Sequence, residues 1–178
     1  RRSPTVVMQA TLIETHEIAP EVRHFLFEVA GEQKLDYSPG QWVSITETVK
    51  EKKVTRAYSL ASAPHGNRFE LCLNRVKEGL FSPWLFRLEP GQSLAMRGPL
   101  GSFTPKQPFS DSILIATGTG VAPFRSFLQS ASVVESAAQI VAGCPRARVL
   151  LGGDGELRPW LEDRAKQLGL PDRFIVAG

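Results

Sequence analysis

Cysteine is nearly missing from this chain. Cys72 and Cys144 are the only two in 178 residues, they sit at no metal-ligand spacing, and no Cys-x-x-Cys occurs. A disulfide framework or a structural zinc is therefore not expected. Histidine is as sparse: His16, His24 and His65 are dispersed along the chain, and no metal site is expected from them. No uninterrupted apolar run is long enough to span a membrane. The opening RRSPTVVMQATL lacks the apolar core of a secretory leader, so a reducing cytoplasm is the expected location. Long blocks of one charge are also missing. The net charge is +3 and the basic residues are scattered, apart from Lys50, Lys52 and Lys53. That short run suits a solvated hairpin end, and a nucleic-acid partner is not expected.

What is present is a chain of ordinary globular composition. Hydrophobic residues make up 42% and charged residues 22%, enough apolar material for a core that folds without staples. The first hundred residues read as β. Six short β-rich runs occupy 5–18, 22–31, 41–48, 54–62, 68–76 and 93–99. Ala19-Pro20, Ser38-Pro39-Gly40, Ala63-Pro64-His65-Gly66 and Glu89-Pro90-Gly91 punctuate them. The spacing predicts a six-stranded antiparallel barrel of Greek-key type over residues 1–105. One segment breaks the pattern. Ser82 and Pro83 suit the N-cap and first residue of a helix over Ser82–Leu88.

After Pro105 the character changes. SILIATGTG (112–120) is an apolar run ending in glycines, and VAPFRSFLQSA follows with helical character. Strand–glycine turn–helix is the start of a parallel α/β domain. The theme repeats as helix SVVESAAQIVAG, strand ARVLLGG, helix ELRPWLEDRAKQLG and strand RFIVAG. A partial α/β domain with a parallel sheet is expected over 111–178, its strands at Ser112–Thr117, Arg148–Leu151 and Arg173–Val176.

Three stretches carry chemistry. In Arg56-Ala57-Tyr58-Ser59 strand alternation puts Arg56 and Tyr58 on one face. A guanidinium binds phosphate through two parallel hydrogen bonds, and a phenol ring stacks on a flat heterocycle. Taken alone, the two are better explained as a surface cross-strand pair. In Gly79-Leu80-Phe81-Ser82 a helix start offers free N–H groups, a hydroxyl and a glycine that admits close approach. In Gly118-Thr119-Gly120 a strand ends and a helix opens, the geometry that places a dinucleotide at a strand's carboxyl end.

These stretches, in this order and with Gly98-Pro99-Leu100-Gly101 closing the barrel, resemble the ferredoxin–NADP reductase superfamily over about residues 8 to 130. That family carries R-x-Y-S, G-x-x-S and G-P-x-G motifs in a flavin-binding barrel. A nicotinamide-binding domain then opens with G-T-G-[IV]-A-P, matched here by Gly118-Thr119-Gly120-Val121-Ala122-Pro123. The resemblance implies FAD as cofactor, NAD(P)H as substrate, and an electron acceptor that is either a protein or a small molecule. It implies that Tyr58 stacks on the isoalloxazine and that Arg56 and Ser82 hold the pyrophosphate. Ser59 would sit by the flavin's reactive nitrogen as the catalytic side chain. Ala57, Leu73, Asn74, Gly79, Leu80 and Phe81 would complete the FAD site. Gly118, Thr119, Gly120, Val121 and Pro123 would serve the nicotinamide side, with Thr119 where the two cofactors meet.

The stretch from Asp111 to Gly178 is shorter than that family's second domain, and it contains no Cys-Gly-Pro. About residues 132 to 178 also resemble a fragment of the donor domain of family-4-type GT-B glycosyltransferases. Gly153-Asp154-Gly155, Leu157-Arg158 with Leu161, and Leu168-Gly169-Leu170 carry that resemblance. The expectation is a flavin-dependent oxidoreductase passing a hydride from NAD(P)H to FAD and electrons onward. The alternatives are an FAD-binding fragment or fusion product with little NAD(P)H activity and, more distantly, a sugar-nucleotide-binding or glycosyltransferase fragment.

Overall fold

The computed structural model describes residues 7–31, 34–105, 114–130, 149–152, 158–170 and 174–177. The chain divides into two compact units. The first runs to Thr104 and takes up Ala116–Ser126; the second comprises Pro105–Ile115 and Phe127–Gly178. The segment 116–126 thus belongs with the β unit, whereas the sequence assigned it to the α/β domain.

The first unit contains strands β1 (Val7–Ala19), β2 (Val22–Val29), β3 (Trp42–Val49), β4 (Lys52–Ser59), β5 (Arg68–Asn74) and β6 (Ser93–Leu100). They form one sheet in the order β4-β3-β6-β1-β2-β5, and every pairing is antiparallel. The β3–β4 connection is a two-residue hairpin. Val49 pairs with Lys52, and Lys50 and Glu51 both take positive φ (49° and 63°), as a type I′ turn requires. The basic run around Lys50 is therefore the exposed hairpin end expected of it.

Alternation builds the core. Phe25, Phe27 and Val29 of β2, Val43 and Ile45 of β3, and Phe69 and Leu71 of β5 are fully buried. Phe27 stacks on Phe69 across the β2–β5 ladder at 5.3 Å between ring centroids. A bulge at Ile13 interrupts β1: Leu12 faces Phe27, but Glu14 faces Leu26. The extra residue turns even-numbered side chains from the core, where Ala10 and Leu12 are fully buried, to the outside, where Glu14 and His16 are exposed.

Helix α1 covers Phe81–Leu85 rather than Ser82–Leu88, and its N-cap is Leu80 with no side-chain cap. Ser82 lies inside the helix because its Oγ is engaged elsewhere, accepting the Val76 N–H at 2.9 Å. The chain beyond Leu85 tightens into i→i+3 bonds, Arg87 N–H to Trp84 and Leu88 N–H to Leu85. Phe81, Leu85 and Leu88 seal the core.

Residues 114–117 form no strand, and Ile115 is 81% exposed. Ser112 and Ile113 of the expected strand lie outside the described residues, as does the expected helix over 132–143. An apolar run becomes a strand only against a partner edge, and 114–117 meet none among the described residues. A 3₁₀ turn at Gly118–Val121 and helix α2 (Ala122–Gln129) follow, Gly118 holding φ at 53°.

The second unit contains β7 (Val149–Gly152), α3 (Arg158–Gln167) and β8 (Phe174–Ala177). β7 and β8 pair in parallel, from Val149 with Phe174 to Gly152 with Ala177. Two of the three expected parallel strands are thus present. Helix α3 is closed off by Gly169, two residues past its end, whose φ of 72° lets the Leu170 N–H return to the Ala165 carbonyl at 2.8 Å.

Candidate functional site

The barrel is not closed. β4 and β5 are the two ends of the sheet, and no ladder joins them. The chain leaving β4 reaches β5 through the Ala61 N–H on the Glu70 carbonyl at 2.8 Å. Beyond that bond the edges part. A cavity of about 420 Å³ opens in the seam, within the size range of cofactor pockets. Arg56–Ser59 line it from β4 and Cys72–Asn74 from β5, with Val76, Gly79–Ser82, Thr119, Gly120 and Ala122 completing the wall.

Arg56 and Tyr58 do share a face. Their direct partners on β3 are Ile45 and Val43, both fully buried, so both side chains rise from the inner side of the sheet at its open rim. Burial pushes the Tyr58 phenol up to about 12, opposed by the nearby Arg56 charge. The Tyr58 ring lies 6.1 Å from that of Phe81 and leans on the core. Arg56 is exposed and donates one bond to the Thr55 carbonyl at 2.8 Å. That leaves most of its fork for a ligand.

Ser82 accepts from Val76, so its hydroxyl proton is still available to donate into the cavity. The glycine at 79 has a local reason: a Cβ there would lie 3.1 Å from the Val76 carbonyl oxygen and 3.2 Å from the Val76 Cβ. Of the five residues assigned to the nicotinamide side, Thr119 and Gly120 reach the wall, and Thr119 Oγ1 lies 3.4 Å from Asn74 Oδ1. Gly118, Val121 and Pro123 do not line the cavity, because the 3₁₀ turn and the first turn of α2 present only part of their surface to it. Val121 is 47% exposed.

Residues not singled out in the sequence hold this wall in place. Arg125 of α2 donates to the Glu70 carboxylate and, at 2.7 Å, to the Ala61 carbonyl. Ser126 donates to the Ser62 carbonyl, and Ser62 Oγ accepts the Glu70 N–H at 3.0 Å. Tyr37 bonds to Ser62 as well, and burial raises its phenol to about 12. His24 Nε2 meets the same Glu70 oxygen, Oε2, at 2.9 Å. Burial pushes the Glu70 carboxyl up, but His24 and Arg125 outweigh it and hold the group below its usual range. Cys72 also reaches the wall, and burial raises its thiol against the pull of Arg125. Alternation from Asn74 puts Cys72 and Glu70 on one face of β5, the only sequence signal for either.

A family model for the oxidoreductase FAD-binding domain matches residues 9–104, more than half of the chain. The chain belongs to this family. Ferredoxin--NADP reductase B of Sorangium cellulosum is 42% identical over 135 residues, 74% of this chain and 55% of that protein. The chloroplastic ferredoxin--NADP reductase of Mesembryanthemum crystallinum is 36% identical over 135 residues, 64% of this chain and 36% of its own length. The crystal structure of Amycolatopsis cytochrome P450 reductase GcoB superposes with a TM-score of 0.68 at 28% identity, covering 97% of this chain and 51% of that one. The chain therefore spans about a third to a half of the length of the curated relatives it matches. Among the described residues no helix is long and apolar enough to cross a membrane.

Proposed function

We propose that this chain holds FAD in the β4–β5 seam and serves an oxidoreductase in which NAD(P)H delivers a hydride to the flavin and electrons pass to an acceptor. The observation that carries this reading is the convergence of Arg56, Tyr58, Ser82 and Thr119 on one cavity from three separate segments. The residues fit the group: a flat aromatic wall, a guanidinium with free donors and a hydroxyl with a free proton surround a cavity of cofactor size.

FAD supplies the redox chemistry when bound, and the protein supplies placement and electrostatics. Tyr58, anchored on Phe81, offers the stacking surface. Arg56 and Ser82 bind phosphate oxygens, and Leu73 and Asn74 border the adenine. Ser59 stands at the end of β4 beside Tyr58, where its hydroxyl orients the reacting edge. Thr119 and Gly120, tied to the barrel through Arg125 and Ser126, set the approach of the nicotinamide. The likeness to two ferredoxin--NADP reductases supports NAD(P)H as reductant and an electron acceptor, protein or small molecule.

Reconstitution with FAD followed by anaerobic mixing with NADPH or NADH tests the reading. The expected result is a bound flavin spectrum, a rise in thermal stability and bleaching of the visible band by reduced nicotinamide. A protein that acquires neither spectrum nor thermal shift would overturn the proposal. Binding without bleaching would reduce it to an FAD-binding module.

A further inference from the structure

We infer that Glu14, His16 and His24 form a binding site for a divalent transition metal on the outer face of the β1–β2 ladder, independent of the flavin reading. The histidines are dispersed in sequence, but His16 and His24 are direct cross-strand partners, with ring centroids 4.8 Å apart. The bulge at Ile13 brings Glu14 to the same face, two residues from His16. Each of the three side chains places one ligand atom within 4.8 Å of the other two.

His24 supplies the second observation. Its Nε2 is committed to the Glu70 carboxylate at 2.9 Å, while its Nδ1 is buried with no hydrogen-bond partner among the described residues. An ionised carboxylate on Nε2 keeps the proton there and leaves Nδ1 as a bare lone pair. A buried acceptor without a partner has lost its water and gained nothing in return, so its persistence asks for a ligand. Carboxylate–histidine–metal is the recurrent arrangement by which proteins orient a metal-binding imidazole. Glu70 stands where that outer carboxylate belongs.

The donor set decides the class of metal. Two imidazoles and one carboxylate suit zinc, nickel, cobalt or copper rather than calcium or magnesium. Ligands about 2.0–2.1 Å from a tetrahedral zinc lie about 3.4 Å from one another, so the cluster must contract on loading. Glu14 and His16 are exposed and can swing inward, whereas His24 is fixed by Glu70. A water completes the fourth position on the solvent side. The nearest further charge behind His24 is Arg125, on the far side of Glu70, while the adjacent Glu17–Arg23 pair falls on the opposite face of the ladder.

Zinc titration of the tag-free, EDTA-stripped chain against a chromogenic chelator, with metal content by mass spectrometry, tests the site. Both cysteines are replaced by serine so that thiols do not compete. One zinc per chain is expected. His16→Ala and Glu14→Ala, both at exposed positions, should weaken it at least tenfold while circular dichroism and thermal unfolding stay unchanged. Glu70→Gln should weaken it about 10- to 100-fold through loss of the outer carboxylate. Zinc binding well below one per chain, or equal affinity in wild type, Glu14→Ala and His16→Ala, would overturn the assignment.

Discussion

Arg125, four residues into the helix that follows the glycine turn, donates directly to the carboxylate of Glu70 in the middle of β5. The bond spans 55 residues of sequence and fixes where Thr119 and Gly120 stand against the seam. The same carboxylate accepts from His24 on β2, so one acidic residue ties together a strand pair and the helix after the turn. Ser126 reinforces the tie through the Ser62 carbonyl.

Removing that carboxylate's charge should be costly. The two side chains are 25% and 22% exposed, so Glu70→Gln is expected near the low end of the range for breaking a buried pair, about 3 kcal/mol by chemical denaturation. The pH dependence carries a sign. A carboxyl held below its unfolded value adds stability above that value, near 4.5, and loses it as pH falls through the lower folded value. Wild type should weaken below about pH 4.5, with a flatter acid limb in Glu70→Gln. Parallel limbs would mean that Glu70 is not the group that titrates.

Arg56→Ala should remove a charge-assisted phosphate contact worth about 1.5–3 kcal/mol, a loss of roughly ten- to a hundredfold in FAD affinity. Arg56 is exposed and bonds only locally, so folding stability without flavin should not change. Equal FAD affinity in the two proteins, by fluorescence titration, would remove Arg56 from the site.

Tyr58 makes a different prediction, because its ring and hydroxyl are separable. Tyr58→Phe keeps the stacking surface and should hold affinity within about threefold. Tyr58→Ala should forfeit about 0.5–1.5 kcal/mol of ring stacking, roughly two- to tenfold, and relieve quenching of bound-flavin fluorescence. A phenylalanine variant as weak as the alanine variant would point to the hydroxyl instead.

Gly101 tests the barrel's closing loop. It holds φ at 90°, and a Cβ there would lie 2.4 Å from the Trp42 indole nitrogen. Gly101→Ala must strain the backbone and displace Trp42, so a loss of about 1–3 kcal/mol with a shifted tryptophan emission is expected. Unchanged emission and stability would show that the loop relaxes freely.

The six strands were legible in the sequence because each is a local alternation bounded by Pro and Gly, and every one was found within a few residues of its expected place. The common face of Arg56 and Tyr58 follows from the same two-residue period. Local pattern failed where a partner decides the outcome. Ser112–Thr117 reads as a strand, but its described part from Leu114 meets no partner edge among the described residues, and Ser82 reads as an N-cap but is held by the Val76 N–H. The Ile13 bulge lies below the reach of alternation, since one extra residue reverses which side chains face the core. Only the tertiary structure could join Glu70 to Arg125 and His24, or His16 to His24. Hydrogen bonds and ligand sets form between residues that are near in space, and strand order, which no short window of sequence contains, determines which those are.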